Sequence, residues 1–398
     1  MSDACGANQG RARTDDPLTV GWDEDLDWPG LPPLPGDRVA DACVVGLGAS
    51  GLAAIEEFVA RGLSVVGVDA GRVAAGAAGR NGGFLLGGPA PYLHDAIARW
   101  GAEPALTLYR ATLRELDRLA ETLGPALVER VGSIRLAGLP GSPLDAADEA
   151  DRAAELADCD RHARALREHD IAVDEYDGEL GRGLFLPDDA ATNPSRRALA
   201  TAAALRDQAA LHEHTPVSTV DSRRVVTEHG VISAGVVLVA VDGRLDTLLP
   251  QLAGRVRTAR LQMLATQPVG RRLPCPVYGR WGYDYAQQDA AGRILAGGGR
   301  DRFVEDEWTS EATPTPPVQA WIEQVAARMA GGPVEVRHRW AASVGYTPDG
   351  RPLCIEVAPG VVACGGYSGT GNLVGPVTAR AAVTLALDGT APPSWCQS

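Results

Sequence analysis

An α/β fold (α+β overall), with a dinucleotide-binding domain assembled from both ends of the chain, is predicted by three observations. Residues 43–51 read Cys-Val-Val-Gly-Leu-Gly-Ala-Ser-Gly, so Gly46, Gly48 and Gly51 form a G-x-G-x-x-G turn. Asp69 closes the next apolar run, eighteen residues past Gly51. Near the other end, four glycines fall within the seven residues Gly365–Gly371, ahead of an apolar helical segment. A dinucleotide domain confined to the N-terminus has no need of that ending.

Each element follows in order. Residues 1–37, with Trp22, Trp28 and a proline-rich run at 29–35, read as an extended arm that packs on the body through its tryptophans. Ala42–Val45 reads as a buried strand, Leu52–Arg61 as a helix and Ser64–Val68 as a second strand. In such a βαβ unit the first glycine permits the tight turn, the second lets the backbone approach a pyrophosphate, and the third lets helix pack on strand. The pyrophosphate sits at the positive end of the helix, beside Ala49 and Ser50. Asp69, followed by Ala70, is placed to hydrogen-bond ribose hydroxyls. Residues 91–182 are rich in Ala, Leu, Arg and Glu with helical spacing, best over 106–123. Asn193-Pro194-Ser195 is a helix start. His229–Val241, Thr258–Ala265 and Gly292–Gly299 read as strands, 320–330 as an amphipathic helix, and 352–364 as two short strands about a Pro-Gly turn.

Composition narrows the function. A formal net charge of −14 argues against binding nucleic acid through its phosphates. No run of about 18 apolar residues offers a membrane span, and residues 1–16 lack the apolar core of a secretory signal. Seven scattered cysteines, never in C-x-x-C, suit a cytoplasmic location and give no zinc site or disulfide framework. No metal site is expected. The chain contains no lysine, so pyridoxal-phosphate and Walker-type phosphate chemistry are excluded.

Four segments, GLGASGLAA…VDA (46–54 and 68–70), GAAGRNGGF (76–84), TPDGRPL (347–353) and ACGGYSGTGNLVGP (363–376), resemble the D-amino-acid oxidase superfamily of flavoproteins over roughly residues 38–390. The first half is most similar to the γ-glutamylputrescine-oxidase-like branch, and the general plan to glycine and sarcosine oxidases. The resemblance implies a glutathione-reductase-like FAD-binding domain of discontinuous segments (38–95, 185–255 and 336–398), with a β-sheet substrate domain (96–184 and 256–335) covering the flavin ring. It implies oxidation of a C–N bond: the amine binds neutral, a hydride leaves its α-carbon for flavin N5, the imine hydrolyses, and molecular oxygen becomes hydrogen peroxide. No protein side chain is expected to act catalytically; the flavin carries the chemistry.

The same resemblance assigns residues. Arg80, Asn81, Gly82 and Gly83 run past the pyrophosphate toward the flavin. The backbone at Val217 meets the adenine. The loop of Gly366, Ser368, Gly369, Thr370 and Gly371 faces the flavin's N1–C2=O edge, where backbone N–H groups and the helix dipole stabilise the anionic reduced ring, and Gly345, Asn372 and Leu373 are further cofactor-binding candidates. The histidine and cysteine that attach FAD covalently in some relatives align near Arg80 and Ala342, so non-covalent FAD is expected. The carboxylate-binding arginine of glycine-oxidase-like members aligns with Val344, and a second with Gly369. A carboxylate normally wants arginine's bidentate fork, so Arg280, Arg300, Arg302 and Arg339 are candidates to replace it. Tyr283 and Tyr285 share one strand face and line the pocket, with Tyr346 and Tyr367 as further candidates. The leading expectation is a glycine-oxidase-like oxidase of an N-carboxymethyl secondary amine, giving glyoxylate and a freed amine, in specialised (β-amino acid) biosynthesis. The others are a γ-glutamylputrescine-like polyamine oxidase, an amine dehydrogenase using a partner acceptor, and a non-catalytic flavin-bound subunit. The oligomeric state is not readable.

Overall fold

The computed structural model describes residues 20–24 and 26–397. Cys5 and most of the arm therefore lie outside the described residues. Two large sheets organise the rest.

The first sheet carries the glycine turn. Arg38–Val45 lies at its centre, parallel to Val65–Val68 on one side and to Gly230–Val239 on the other. Val361–Gly365 extends it in parallel beyond Gly230–Val239, and Leu353–Ala358 closes that edge antiparallel. Ala210–His212 forms the opposite edge. The central strands are buried on both faces, so they read as continuous apolar runs rather than alternating ones. Ala49–Ala60 and Gly371–Asp388 pack together on one face, burying Ile55, Phe58, Ala379 and Val383. The N- and C-terminal glycine segments are thereby held side by side.

The second sheet runs Val336–Tyr346, Arg257–Pro268, Arg293–Gly297, Asp284–Gln288, Val277–Gly279, Ser133–Leu136, Gly181–Leu186 and Asp174–Gly178. All neighbours are antiparallel except Val277–Gly279 with Ser133–Leu136. Helix Pro316–Ala330 covers its outer face through Trp321, Ile322, Val325 and Met329.

Three sequence expectations are corrected here. Residues 91–182 are not helical throughout: Ser133–Leu136 and Asp174–Gly178 are strands of the second sheet. Val336–Tyr346, assigned to the cofactor domain, pairs along its length with Arg257–Pro268, because its alternating apolar residues bury against the substrate sheet. Gly181–Leu186 spans the boundary set at 184/185 and belongs wholly to that sheet. Asn193 does cap the helix Pro194–Leu205, its Oδ1 accepting the Arg196 N–H at 3.0 Å.

The described part of the arm bridges both sheets. Trp22 is buried with Met263, Ala265 and Trp340, and its indole N–H donates to the Asn81 carbonyl at 2.7 Å. Trp28 donates to Glu213 at 2.9 Å. No described helix is long and apolar enough to cross a membrane.

Candidate active site

One cavity of about 1690 Å³ runs between the two sheets. It exceeds the roughly 300–1,000 Å³ of a drug-sized ligand pocket, leaving room for a dinucleotide and a further small molecule. Gly46, Gly48, Ala49, Ser50, Asp69, Ala70, Arg80, Asn81, Gly82, Val217, Ser368, Gly369, Thr370, Gly371 and Asn372 line it.

The glycine turn is built by exclusion. Gly46 has φ +103, and a Cβ there would lie 2.5 Å from the Ala240 carbonyl oxygen. Gly51 is off the cavity wall: its Cβ would fall 1.8 Å from the Gly46 oxygen, so it is a packing glycine. At Gly48 the only protein atom within 4 Å of a Cβ is that of Ala78, at 3.3 Å, leaving the backbone open to an approaching ligand. No side chain caps Ala49–Ala60, so its first N–H groups remain available to an anion. Asp69 accepts from Leu47 N–H at 2.8 Å and Gly71 N–H at 2.9 Å, bracing the turn. Burial raises its pKa, against the lowering effect of those two bonds.

At the middle of the cavity Arg80 donates to the Ala341 carbonyl at 3.0 Å. Its Nε is buried and has no hydrogen-bond partner among the described residues. Asn81 and Asn372 form reciprocal amide bonds, 3.2 and 2.9 Å, tying the Arg-Asn-Gly-Gly loop to the C-terminal loop. Asn372 also donates to the Phe84 carbonyl at 2.8 Å and accepts from buried Arg197 at 2.7 Å. Burial lowers the Arg197 pKa to about 10, so removing an acceptor from it is costly. Asn372→Ala is expected to lower stability by about 2–3 kcal/mol and to weaken cofactor retention. Thermal unfolding and bound-flavin absorbance check this; wild-type values for both would sink it.

Asp242 was missed in the sequence, where Asp-Gly after a strand reads as an ordinary turn. It holds φ +45, lines the cavity, and accepts from Gly345 and Gly366 N–H at 3.0 and 2.9 Å. Gly345 and Gly366 therefore frame the site from behind rather than line it. Gly83 and Leu373 are also off the wall. A Cβ on Gly83 would meet Gln287 Nε2 at 2.1 Å, and Leu373 is a core residue, 1% exposed. Ser368 takes φ +51 on the wall, a strained conformation for a residue with a side chain.

At the far end the four arginine candidates separate. Arg280 is not on the wall; it pairs with Asp284 at 2.7 Å and with Asp301. Arg302 lies over the Trp321 ring at 3.8 Å, away from the cavity. Arg339 is also off the wall, donating to Gln319 at 3.0 Å and pairing with Glu323 at 2.5 Å. Arg300 alone of the four lines the cavity. Its guanidinium lies 4.2 Å from the Trp308 ring centroid and 4.3 Å from that of Tyr346, and its Nε and Nη2 have no hydrogen-bond partner among the described residues.

Tyr283, Tyr285 and Tyr346 line the same region. The Tyr285 ring stands against Gly82, 3.1 Å from a Cβ position there, and the Tyr346 hydroxyl approaches Gly369 at 3.7 Å on the same measure. Both tyrosines thus face the two cofactor loops. Burial raises the pKa of each phenol, so both stay neutral. Tyr367 also contributes to the cavity wall, while its ring is buried in the first-sheet core against Gly371 and Gly375.

Residues 41–385 match the profile of the FAD dependent oxidoreductase family, DAO. A probable oxidoreductase OrdL of Rhizobium meliloti is 26% identical over 90% of this chain and 86% of its own length. A gamma-glutamylputrescine oxidoreductase of Escherichia coli is 25% identical over 83% and 80%. Among solved structures, L-proline dehydrogenase from P. horikoshii superposes with TM-score 0.70 at 17% identity, covering 90% of this chain and 96% of that one. Glycine oxidase from Geobacillus kaustophilus does so with TM-score 0.70 at 19%, covering 89% and 96%. Iminodiacetate oxidase from a Chelativorans species gives TM-score 0.65 at 17%, covering 88% and 96%.

Proposed function

Since the chain belongs to the DAO family of FAD-dependent oxidoreductases, we propose that it oxidises the C–N bond of a carboxylate-bearing amine, with an N-carboxymethyl secondary amine as substrate. The observation that carries this reading is Arg300. It is a cation set against two edge-to-face aromatic rings on the cavity wall, and its Nε and Nη2 are left without partners among the described residues. A buried donor left unmet costs about 1–3 kcal/mol, more when charged, and a substrate carboxylate satisfies it.

Bound non-covalently, FAD supplies the acceptor for the hydride lost from the carbon beside nitrogen. The protein's part is positioning. Arg300 fixes the carboxylate, and the neutral Tyr346 and Tyr285 phenols orient the amine toward the loops at Gly82 and Gly369. No histidine is among the residues lining the cavity, which suits an amine that arrives already neutral rather than one deprotonated by a side-chain base.

The test is product analysis with N-alkylglycines and purified holoenzyme. Glyoxylate, the free amine and hydrogen peroxide are expected in equal amounts. An aminoaldehyde from a polyamine, with no glyoxylate from any N-alkylglycine, would overturn the reading. Replacing oxygen by an artificial acceptor separates an oxidase from a dehydrogenase. Denaturing precipitation is expected to leave the yellow colour in the supernatant, because the family resemblance aligns the histidine and cysteine of covalent relatives near Arg80 and Ala342. Colour in the pellet refutes that expectation.

A further inference from the structure

Arg135 also lines the cavity and, like Arg300, sets its guanidinium against two aromatic rings. Its guanidinium lies 4.2 Å from the Tyr92 ring centroid and 4.6 Å from that of Tyr278, and its Nε donates to the Tyr278 hydroxyl at 2.9 Å. Among the described residues it makes no ion pair within 4 Å. The acids nearest in its field are already engaged. Glu155 accepts from Trp281 N–H and, at 2.7 Å, from Gly138 N–H. Asp189 accepts from Ser133 Oγ at 2.6 Å and Gly87 N–H at 2.8 Å.

Register places Arg135 relative to the reacting region. Tyr285 is opposite Tyr278, and Tyr278 is opposite Arg135, on three adjacent strands. Directly opposed residues project from the same sheet face, so Tyr285, Tyr278 and Arg135 form one row along the cavity. Two strand spacings, about 10 Å, separate its ends. Phe84 sits over the row, 5.8 Å from the Tyr285 ring and 6.1 Å from that of Tyr278. The path is thus aromatic, bounded by a cation at each end: Arg300 beside Tyr346, and Arg135 beyond Tyr278.

We propose that Arg135 is a second anion-binding subsite and that the substrate is a dicarboxylic secondary amine. One carboxylate, adjacent to the oxidised carbon, lies on Arg300; the other, at the end of the amine's second arm, lies on Arg135. This rests on the reading of Arg300 above. The aromatic path selects an apolar arm, and the distal carboxylate sets its length.

The test is a non-turnover titration of holoenzyme, followed by the flavin absorbance change, with α,ω-dicarboxylates and monocarboxylates of matched chain length. The dicarboxylate of best length is expected to bind at least tenfold more tightly than its monocarboxylate partner. Arg135→Met should remove that advantage while leaving monocarboxylate affinity and flavin content unchanged, and Arg135→Lys should restore part of it. Equal affinity for the two ligand classes in wild type overturns the proposal, as does an advantage that survives Arg135→Met. A variant that loses flavin is replaced by Tyr92→Leu, which removes one face of the cage and should cut the advantage severalfold; an unchanged advantage there also overturns the proposal. In parallel, N-alkylglycines with and without a terminal carboxylate are tested for flavin reduction. If neither reduces the flavin, the amine-oxidation reading fails, while the titration still decides the subsite.

Discussion

Gly51→Ala is expected to yield protein without flavin and with a collapsed thermal transition. The added Cβ would stand 1.8 Å from the Gly46 carbonyl oxygen, a backbone atom directly after the central strand, and Gly51 itself is fixed in the helix Ala49–Ala60. Neither a rotamer change nor a side-chain shift relieves it. The cost is about 4 kcal/mol or more, in the range reserved for severe core disruption and comparable with the whole stability of a marginal domain. Gly48→Ala is the informative partner. Its Cβ meets only the Ala78 methyl, at 3.3 Å, so the chain should fold; the space it fills is the ligand's, and flavin affinity should fall. Unfolding curves and the visible flavin absorbance of purified protein distinguish the two. A yellow Gly51→Ala protein with wild-type stability would remove the glycine turn from the account.

Arg300→Leu is expected to raise KM for a carboxylated amine about 100-fold with kcat little changed. A charged, forked pair of hydrogen bonds contributes about 3 kcal/mol, each tenfold corresponding to about 1.4 kcal/mol. The loss appears in KM because the carboxylate is held equally in ground and transition states. Arg300→Lys keeps the charge but not the planar fork packed against Trp308 and Tyr346, and should recover only part of the affinity. Arg302→Leu and Arg339→Leu serve as controls, since their guanidinium groups engage Trp321 and Glu323 away from the cavity. Unchanged KM in Arg300→Leu, or equal loss in the controls, would dismiss the assignment.

What could be read beforehand divides along sequence distance. Gly46, Gly48, Gly51 and Asp69 form one local unit, and its geometry follows from chirality and strand–helix packing within thirty residues. The glycine-rich loop before the last helix is likewise a local pattern, and its residues 367–372 line the cavity while Gly366 lies behind it. The choice among four arginines was not, because it depends on where Asp301, Glu323, Trp321 and Trp308 come to lie. Only the Arg280–Asp284 pair was short-range enough to suspect. Arg135 was hidden by its context: Ser-Ile-Arg-Leu is a four-residue strand between helical stretches, too short to impose its own period. The register that sets it beside Tyr278 is a pairing across more than 140 positions, printed nowhere in the local pattern.

The clamp between Asn81 and Asn372 joins residues 291 positions apart. During synthesis the first wall of the cofactor pocket leaves the ribosome long before its last. At about 5–20 residues per second the nucleotide turn waits on the order of 15–60 seconds for its counterpart. Flavin capture is therefore a late event, coupled to completion of the first sheet by Val361–Gly365. Until then the apolar strands around Val44 and Val237 lack their final cover, and a shortage of flavin or of chaperone acts on this nascent chain before it acts on any finished enzyme.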